Sequence, residues 1–442
     1  MLDKGQKYTV VISDMNNEGN GICRIDHTVV FVIGAVTGDE CVIKIIKLAK
    51  NYRVAVIDEL LSPSERRVPP LCPYKHCGGC VFNNISDEYE LEIKKRVVEG
   101  AFLRAGIDIP VDKTYGVPGR RAYRNKAQFP VGYDKNGHLS FGYYAKRSHE
   151  IVFCDRCEIA YPEFTKIAKT VCSSAAAHGV TAYDEQSGKG ILRHICMRSG
   201  KSGIMLTLVI NADTLPSADE IINDVIASHP SVSGVYINVN KENTNVIYGD
   251  KFIHVHGDEK LTDTLCGREF EIAPSSFYQV NHDCCEALYN KAAELIGADG
   301  DMTVIDLYCG VGTVGLCAAR NAKKLIGIEI VPEAVENAKR NAKINGINNA
   351  EFYCGDSSMI RSVTDRADVI IVDPPRKGLD EKVISAILDI KPEKLLYISC
   401  DPNTLARDLK ILLEHYAADK AYPFNMFPRT SHVETVVLMT KK

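Results

Sequence analysis

The chain has 442 residues, about three times the roughly 150 residues of a typical domain, so two or three domains are expected. Hydrophobic residues at 45% and charged residues at 25% exclude wholesale disorder, and no run reaches the roughly 18 apolar residues of a membrane span. With 53 Lys and Arg against 57 Asp and Glu, the net charge of −4 also excludes an indiscriminate polyanion binder.

The opening stretch MLDKGQKYTVVISD has no apolar core behind a basic head, so no secretory leader and a cytoplasmic location are expected. Residues 8–12, 21–25, 29–33, 41–47 and 53–60 are β-branched or alternating runs, separated by turn residues at 16–21, 26–27 and 34–39. So many short strands in so short a segment point to a small closed barrel of the oligonucleotide-binding kind, with an SH3-like structural barrel as the alternative. SPSERRVPP at 62–70 reads as a linker, and residues 87–105 as a helix. Residues 106–275 mix helices with strands such as GIMLTLVI (203–210) and SGVYINVN (233–240).

From about residue 280 the alternation becomes regular. TVIDLY, KLIGIEI, ADVIIVD and KLLYIS are buried-strand runs starting at Thr303, Lys324, Ala367 and Lys394, with helical patterns between them. In VPEAVENAKRNAKING, Pro332 stands in the first helical turn and Gly346 at the stop. The expected architecture is α/β. A Rossmann-like parallel sheet occupies 276–442, behind an N-terminal β-barrel at 1–62 and a central α+β domain at 63–275.

Directly after the strand at Thr303 comes Cys309-Gly310-Val311-Gly312-Thr313-Val314-Gly315, a full G-x-G-x-x-G opening a helix. That motif alone admits NAD, FAD or S-adenosylmethionine. Glu329 lies nineteen positions after Gly310, where a carboxylate meets ribose hydroxyls. With Asp306, Asp356 and Asp373 it forms a set of acids at the carboxyl ends of four neighbouring strands. Such a set suits a ligand with ribose, amino and sulfonium groups better than an anionic pyrophosphate. Singly, each acid could instead be a helix N-cap.

Cys400, in Ser399-Cys400-Asp401-Pro402, sits between a strand and the N-terminus of a helix, which is expected to lower its pKa. Glu434 precedes the apolar run VVLM. A thiol and a carboxylate beside a methyl-donor site fit chemistry at C5 of uracil. Thiolate addition at C6 activates C5, and a base then removes the C5 proton so that the cysteine can leave.

These residues carry a resemblance. GVGTVG, DPPRKG, SCDP with TLARDL, the terminal HVETV and SSFYQVN (275–281) together resemble the RNA uracil-C5 methyltransferase family, which makes 5-methyluridine from S-adenosylmethionine. The resemblance is dense over 270–442 and scattered through 1–160. It implies Gln279, Tyr308, Glu329 and Asp373 as cofactor contacts, Cys400 as nucleophile and Glu434 as proton acceptor. DNA cytosine-C5 methyltransferases carry their nucleophile in a Pro-Cys dipeptide after the fourth strand, where this chain has Asp373-Pro374-Pro375.

Upstream, Cys72, Cys77 and Cys80 form C-x4-C-x2-C, three soft ligands that read as zinc or iron–sulfur. His76 is a poor fourth zinc ligand between its neighbours. The resemblance instead implies a [4Fe–4S] cluster completed by Cys157, with Cys154 extra. The first gap has four residues where members of the family often have five.

Between Lys113 and His149, eight basic residues (Lys113, Arg120, Arg121, Arg124, Lys126, Lys135, Lys146, Arg147) face one acid, Asp134. Tyr115, Tyr123, Phe129, Tyr133, Phe141, Tyr143 and Tyr144 are interleaved with them, a pattern that suits phosphate contacts and base stacking. The N-terminal barrel resembles the TRAM module of RNA-modifying enzymes. With barrel and cysteines together, the chain most resembles the 23S ribosomal RNA members, the tRNA members being the second choice.

Overall fold

The computed structural model describes residues 2–117 and 121–442; Arg120 of the basic stretch lies outside them. Among the described residues the strands form three large sheets and one hairpin.

The first sheet has six strands in the order Lys7–Val11, Glu40–Leu48, Tyr52–Ser62, Thr28–Ile33, Asn20–Ile25 and Asp14–Met15. Its first and last members are separated in the chain only by Ile12 and Ser13, so the sheet curls round to bring its ends together. Cys23, Val30, Val32, Cys41, Ile43, Ile45 and Ala55, alternating along their strands, fill the interior.

The helix Asp87–Ala105 matches its expected bounds because both ends are signalled locally. Ser86 caps it by accepting from the Tyr89 amide at 3.2 Å, and Gly106 takes the left-handed conformation that ends it. Its inner face, with Val98, Ala101 and Phe102, packs on the C-terminal sheet.

The second sheet runs Lys251–Gly257, Val232–Val239, Gly203–Ile210, Leu192–Gly200, Lys126–Tyr133, Leu139–Tyr144 and Ile151–Phe153. Helices Pro162–Ala177 and Ala218–Ser228 contribute Phe164, Ile167, Val171, Ile221 and Val225 to the core against it. The hairpin Leu261–Leu265 with Arg268–Ile272 follows, and its Leu261, Leu265, Phe270 and Ile272 join the core of the third sheet.

The third sheet is ordered Ala350–Cys354, Lys324–Glu329, Thr303–Leu307, Val369–Val372, Lys394–Ser399, Glu434–Lys441 and Tyr416–Phe424. The first five are mutually parallel, and Glu434–Lys441 is antiparallel to both its neighbours. Successive residues alternate between two cores. Val304, Leu325 and Ile371 face helix His282–Ile296, whereas Ile305, Ile326 and Ile370 face the side covered by Glu381–Ile390 and Pro402–Leu412. A sheet buried on both faces explains its near-continuous apolar runs. Among the described residues no helix is long and apolar enough to cross a membrane.

Candidate active site

Strand order reverses between Thr303–Leu307 and its neighbours Lys324–Glu329 and Val369–Val372, which opens a crevice at the carboxyl ends of these strands. Tyr308 turns the chain sharply there with a φ of 64°, unusual for a bulky residue. Gly310 and Gly312 follow, also at positive φ. Gly315 permits close packing of the next helix, since a Cβ there would come within 2.8 Å of the Asp306 carboxylate. The Glu329 carboxylate accepts from the amides of Gly310 at 3.0 Å and Val331 at 2.9 Å, so it also fixes the glycine loop. Asp356 serves as a cap, accepting from Ser358 N at 2.9 Å, which is the alternative role open to each of the four acids.

Three carboxyls converge in this crevice, those of Asp306 and Glu434 buried and that of Asp373 half-buried. One Asp306 oxygen accepts from the Gly315 amide at 2.8 Å, while its Oδ1 is buried without a partner. Burial lifts Asp306 to about 8, with Asp373 and Glu329 adding to the rise, and burial lifts Asp373 to about 7. Glu434, 5% exposed, is raised to about 8 by burial and then by Asp373, against the opposing pull of Arg376. Such an under-compensated acidic pocket favours a cationic ligand and opposes a pyrophosphate.

Cys400 and Glu434 lie 34 positions apart in the sequence, but antiparallel pairing of Ser399 with Thr435 brings their strand ends together. The Cys400 thiol is pushed up to about 11 by burial, then by Glu434 and Asp373, with Arg376 opposing. This corrects the expectation that the helix N-terminus lowers it. The Asp401 side chain already occupies that N-terminus, accepting from Asn403 N at 2.8 Å and Thr404 N at 3.3 Å. Two of the free amides of that helix end are therefore already satisfied, and burial beside two carboxyls outweighs the helix end at the thiol.

Gln279 is half-buried on the segment leading into helix His282–Ile296, and its carbonyl accepts from Asn125 Nδ2 at 3.0 Å. Asn281 fastens this segment to the 425–433 loop through a 3.0 Å bond to the Met426 carbonyl. Tyr308 is half-buried, and its hydroxyl is raised to about 12 by burial and then by Asp380. Two residues without an assigned role join the site. Arg376 faces both Cys400 and Glu434, and its Nη2 lies 3.4 Å from Nε2 of His432. The arginine of DPPR and the histidine of HVE were the available signals.

The cysteine-bearing loop docks against the central sheet. Gly78 N donates to the Tyr144 carbonyl at 3.0 Å, Cys77 bridges to Ala145, and the Tyr74 hydroxyl bonds the Asp155 side chain. This brings Cys157 to the loop. Burial raises the thiols of Cys72, Cys77 and Cys80, and Cys157 lies near enough to add to the rise of all three. Cys154 is buried in the adjoining core. Among the described residues no group of three or more His, Cys, Asp or Glu side chains is arranged to hold a single metal ion.

The basic stretch is presented differently from expectation. Phe129 and Phe141 are core residues, Tyr123 is buried, and Tyr115 stacks on Phe424 at 5.0 Å between centroids. Only Tyr133 of the seven aromatics, at 50%, counts as an exposed large side chain. The alternation along Lys126–Tyr133 and Leu139–Tyr144 puts Phe129, Phe141 and Tyr143 on the face that meets helix Pro162–Ala177. Lys113, Arg121, Lys135, Lys146 and Arg147 remain exposed, the last two pairing with Glu18 of the barrel at 3.3 and 2.9 Å.

Comparison with known proteins adds to this geometry. Residues 358–442 match the tRNA (Uracil-5-)-methyltransferase family, residues 287–395 the methyltransferase small domain and residues 2–56 the TRAM domain. A Bacillus cereus protein designated an uncharacterized RNA methyltransferase is 39% identical, the alignment covering 100% of this chain and 98% of that protein. A Clostridium tetani protein of the same designation is 41% identical over 99% of this chain and 97% of its own. The crystal structure of Pyrococcus abyssi tRNA (uracil-54, C5)-methyltransferase, in complex with S-adenosyl-L-homocysteine, superposes with a TM-score of 0.79. It is 26% identical, covering 98% of this chain and 100% of that one. A TRAM barrel, a methyl-donor crevice and relatives matched end to end converge on one conclusion: the chain belongs to the S-adenosylmethionine-dependent RNA uracil-C5 methyltransferase family.

Proposed function

We propose that this chain methylates C5 of a uridine in 23S ribosomal RNA through a covalent adduct between Cys400 and C6. The observation that carries the reading is the meeting of Cys400 and Glu434 at adjoining strand ends beside the acids Asp306 and Asp373. We assign three domains, at 1–62, 63–275 and 276–442, with the substrate RNA crossing the cationic side chains between barrel and central sheet.

The crevice residues suit S-adenosylmethionine. The orphaned Asp306 oxygen and the raised Asp373 favour a ligand bearing an amino group and a sulfonium, with Gln279, Tyr308, Glu329 and Asp373 as its contacts. When bound, it supplies an electrophilic methyl carbon. Cys400 loses its proton to solvent water and its thiolate adds to C6 of a flipped-out uracil, and the electron pair displaced from the C5–C6 double bond makes C5 a carbon nucleophile. After C5 is methylated, Glu434 accepts the C5 proton, the C5–C6 double bond re-forms and the Cys400 thiolate leaves. Because Arg376 faces both groups, its charge favours the thiolate during attack and the carboxylate before proton removal.

Cys72, Cys77, Cys80 and Cys157 suit a [4Fe–4S] cluster. Four thiols from two segments share one electrostatic neighbourhood, and a multi-iron cluster spaces its ligands more widely than a single ion does. Arg124, beside Cys77 and Cys80, offsets the charge of ligating thiolates. The cluster's role in this reading is structural, because methyl transfer requires no electron.

A tRNA substrate is the second reading, favoured by the tRNA-modifying neighbour that covers nearly the whole chain. Mass-spectrometric mapping of 5-methyluridine in cytoplasmic ribosomal RNA and tRNA, with and without the gene, decides between them. Loss at a defined 23S position is expected. Loss from tRNA alone would replace the substrate, and no change in either would refute the reaction.

A further inference from the structure

Glu434 stands at one foot of a hairpin. It pairs in register with Phe424, and the intervening loop, 425–433, carries His432. That loop is held from outside. Asn425 N donates to the Tyr115 carbonyl at 2.7 Å, and the carbonyls of Met426 and Pro428 accept from Asn281 Nδ2 at 3.0 Å and the Tyr123 hydroxyl at 2.9 Å.

The densest set of these bonds converges on Arg429, which is 8% exposed and has a φ of 69°. Its Nη1 donates to the carbonyls of Phe82 at 3.0 Å and Ile85 at 2.8 Å, and its Nη2 to Asp87 Oδ1 at 2.6 Å. Its backbone amide donates to Glu90 Oε1 at 2.9 Å, and its carbonyl accepts from the amides of Val81 at 2.8 Å and Phe82 at 3.1 Å. Glu90 in turn pairs with Lys94 at 3.1 Å, both buried. Lys94 Nζ donates to Asn425 Oδ1 at 2.6 Å and to the Phe427 carbonyl at 2.9 Å.

We propose that Arg429 is a positioning residue for the proton acceptor: with Glu90, Lys94 and Asn425 it clamps the 425–433 loop to the segment following Cys80 and so sets where Glu434 stands over the substrate. The inference rests on the uracil-C5 reading and deepens it. None of the clamp bonds reaches the nucleophile, because Cys400 follows a different strand, Lys394–Ser399, and its turn is held by Ser399 and Asp401. A lesion in the clamp therefore displaces the base relative to a fixed thiol. Attack and methyl transfer persist while elimination slows. The planar five-donor fork of arginine is what allows one side chain to bind two carbonyls and a carboxylate together, and an ammonium cannot reproduce that geometry.

The test uses the full chain and the RNA that the unaltered protein methylates. Arg429→Gln and Arg429→Lys are compared for S-adenosylmethionine affinity by calorimetry, for turnover, and for RNA-linked protein on denaturing gels. Cofactor affinity within about twofold of the unaltered chain is expected, with turnover about 100-fold lower in Arg429→Gln, the scale expected for ångström-sized misplacement of a catalytic group. Denaturation-resistant adduct should accumulate, and Arg429→Lys should recover part of the turnover. The lysine variant keeps the buried positive charge and carries the test where the glutamine variant does not fold. Turnover within about twofold of the unaltered chain, or adduct and turnover falling together, would overturn the positioning role. Absence of C5 methylation by the unaltered chain would instead refute the reaction on which it rests.

Discussion

Replacing Glu434 by Gln removes the proton acceptor while preserving its size. In the folded chain burial and Asp373 raise this carboxyl to about 8, so about one-tenth is ionised at pH 7 and about nine-tenths at pH 9. Elimination that depends on the carboxylate should therefore quicken about ninefold from pH 6 to 7 and about fivefold from pH 7 to 8, then level off. Loss of a general base costs about 10²–10⁴-fold in the step it serves, and the glutamine variant should lose the pH dependence as well. The same substitution removes a charge that raises Cys400, second to burial as a cause, so addition at C6 is not slowed. Adduct must then pile up. The assay is a single-turnover reaction quenched in denaturant between pH 6 and 9, with adduct read on gels and 5-methyluridine by mass spectrometry. A glutamine variant that eliminates at the unaltered rate, or one that forms no adduct, would refute the assignment.

Two further outcomes follow from the same electrostatics and from the cysteine loop. Asp306 has a folded pKa of about 8, above its unfolded value, so its contribution to stability is complete below about pH 4 and is lost as pH rises through 8. Between pH 5 and 7 the cofactor-free chain should lose up to about 1.4 kcal/mol more per pH unit than Asp306→Asn, read by denaturant unfolding followed through tyrosine fluorescence. Equal slopes would show that Asp306 does not titrate as described. Cys77→Ser should abolish the broad visible absorbance of anaerobically purified protein and lower its iron content, while calorimetric S-adenosylmethionine affinity is unchanged. Full iron content in that variant would remove Cys77 from the ligand set.

Much of this molecule was legible in the chain because the signals were local. Ser86 and Gly106 mark the ends of a helix through their own caps, and the apolar runs at Thr303, Lys324 and Lys394 announce strands covered on both faces. The Gly310–Gly315 turn is equally local, because left-handed backbone and close packing demand glycine there. Cys400 and Glu434 could be named from their motifs but not joined, since their meeting depends on the register of Ser399 against Thr435 across an antiparallel pair. The state of the thiol was beyond reach for the same reason. Burial and the carboxyls of Glu434 and Asp373 act on it from separate strand ends and outweigh the local cue of the helix N-terminus. Likewise, Phe129, Phe141 and Tyr143 of the basic stretch turn inward once a helix from 162–177 covers their sheet, a burial that a list of residues does not show. Local conformation was thus written in the sequence by itself, whereas the charge states, the docking of Cys157 and the Arg429 clamp were decided only by tertiary structure, because desolvation and long-range register are properties of neighbours that the chain brings together from far apart.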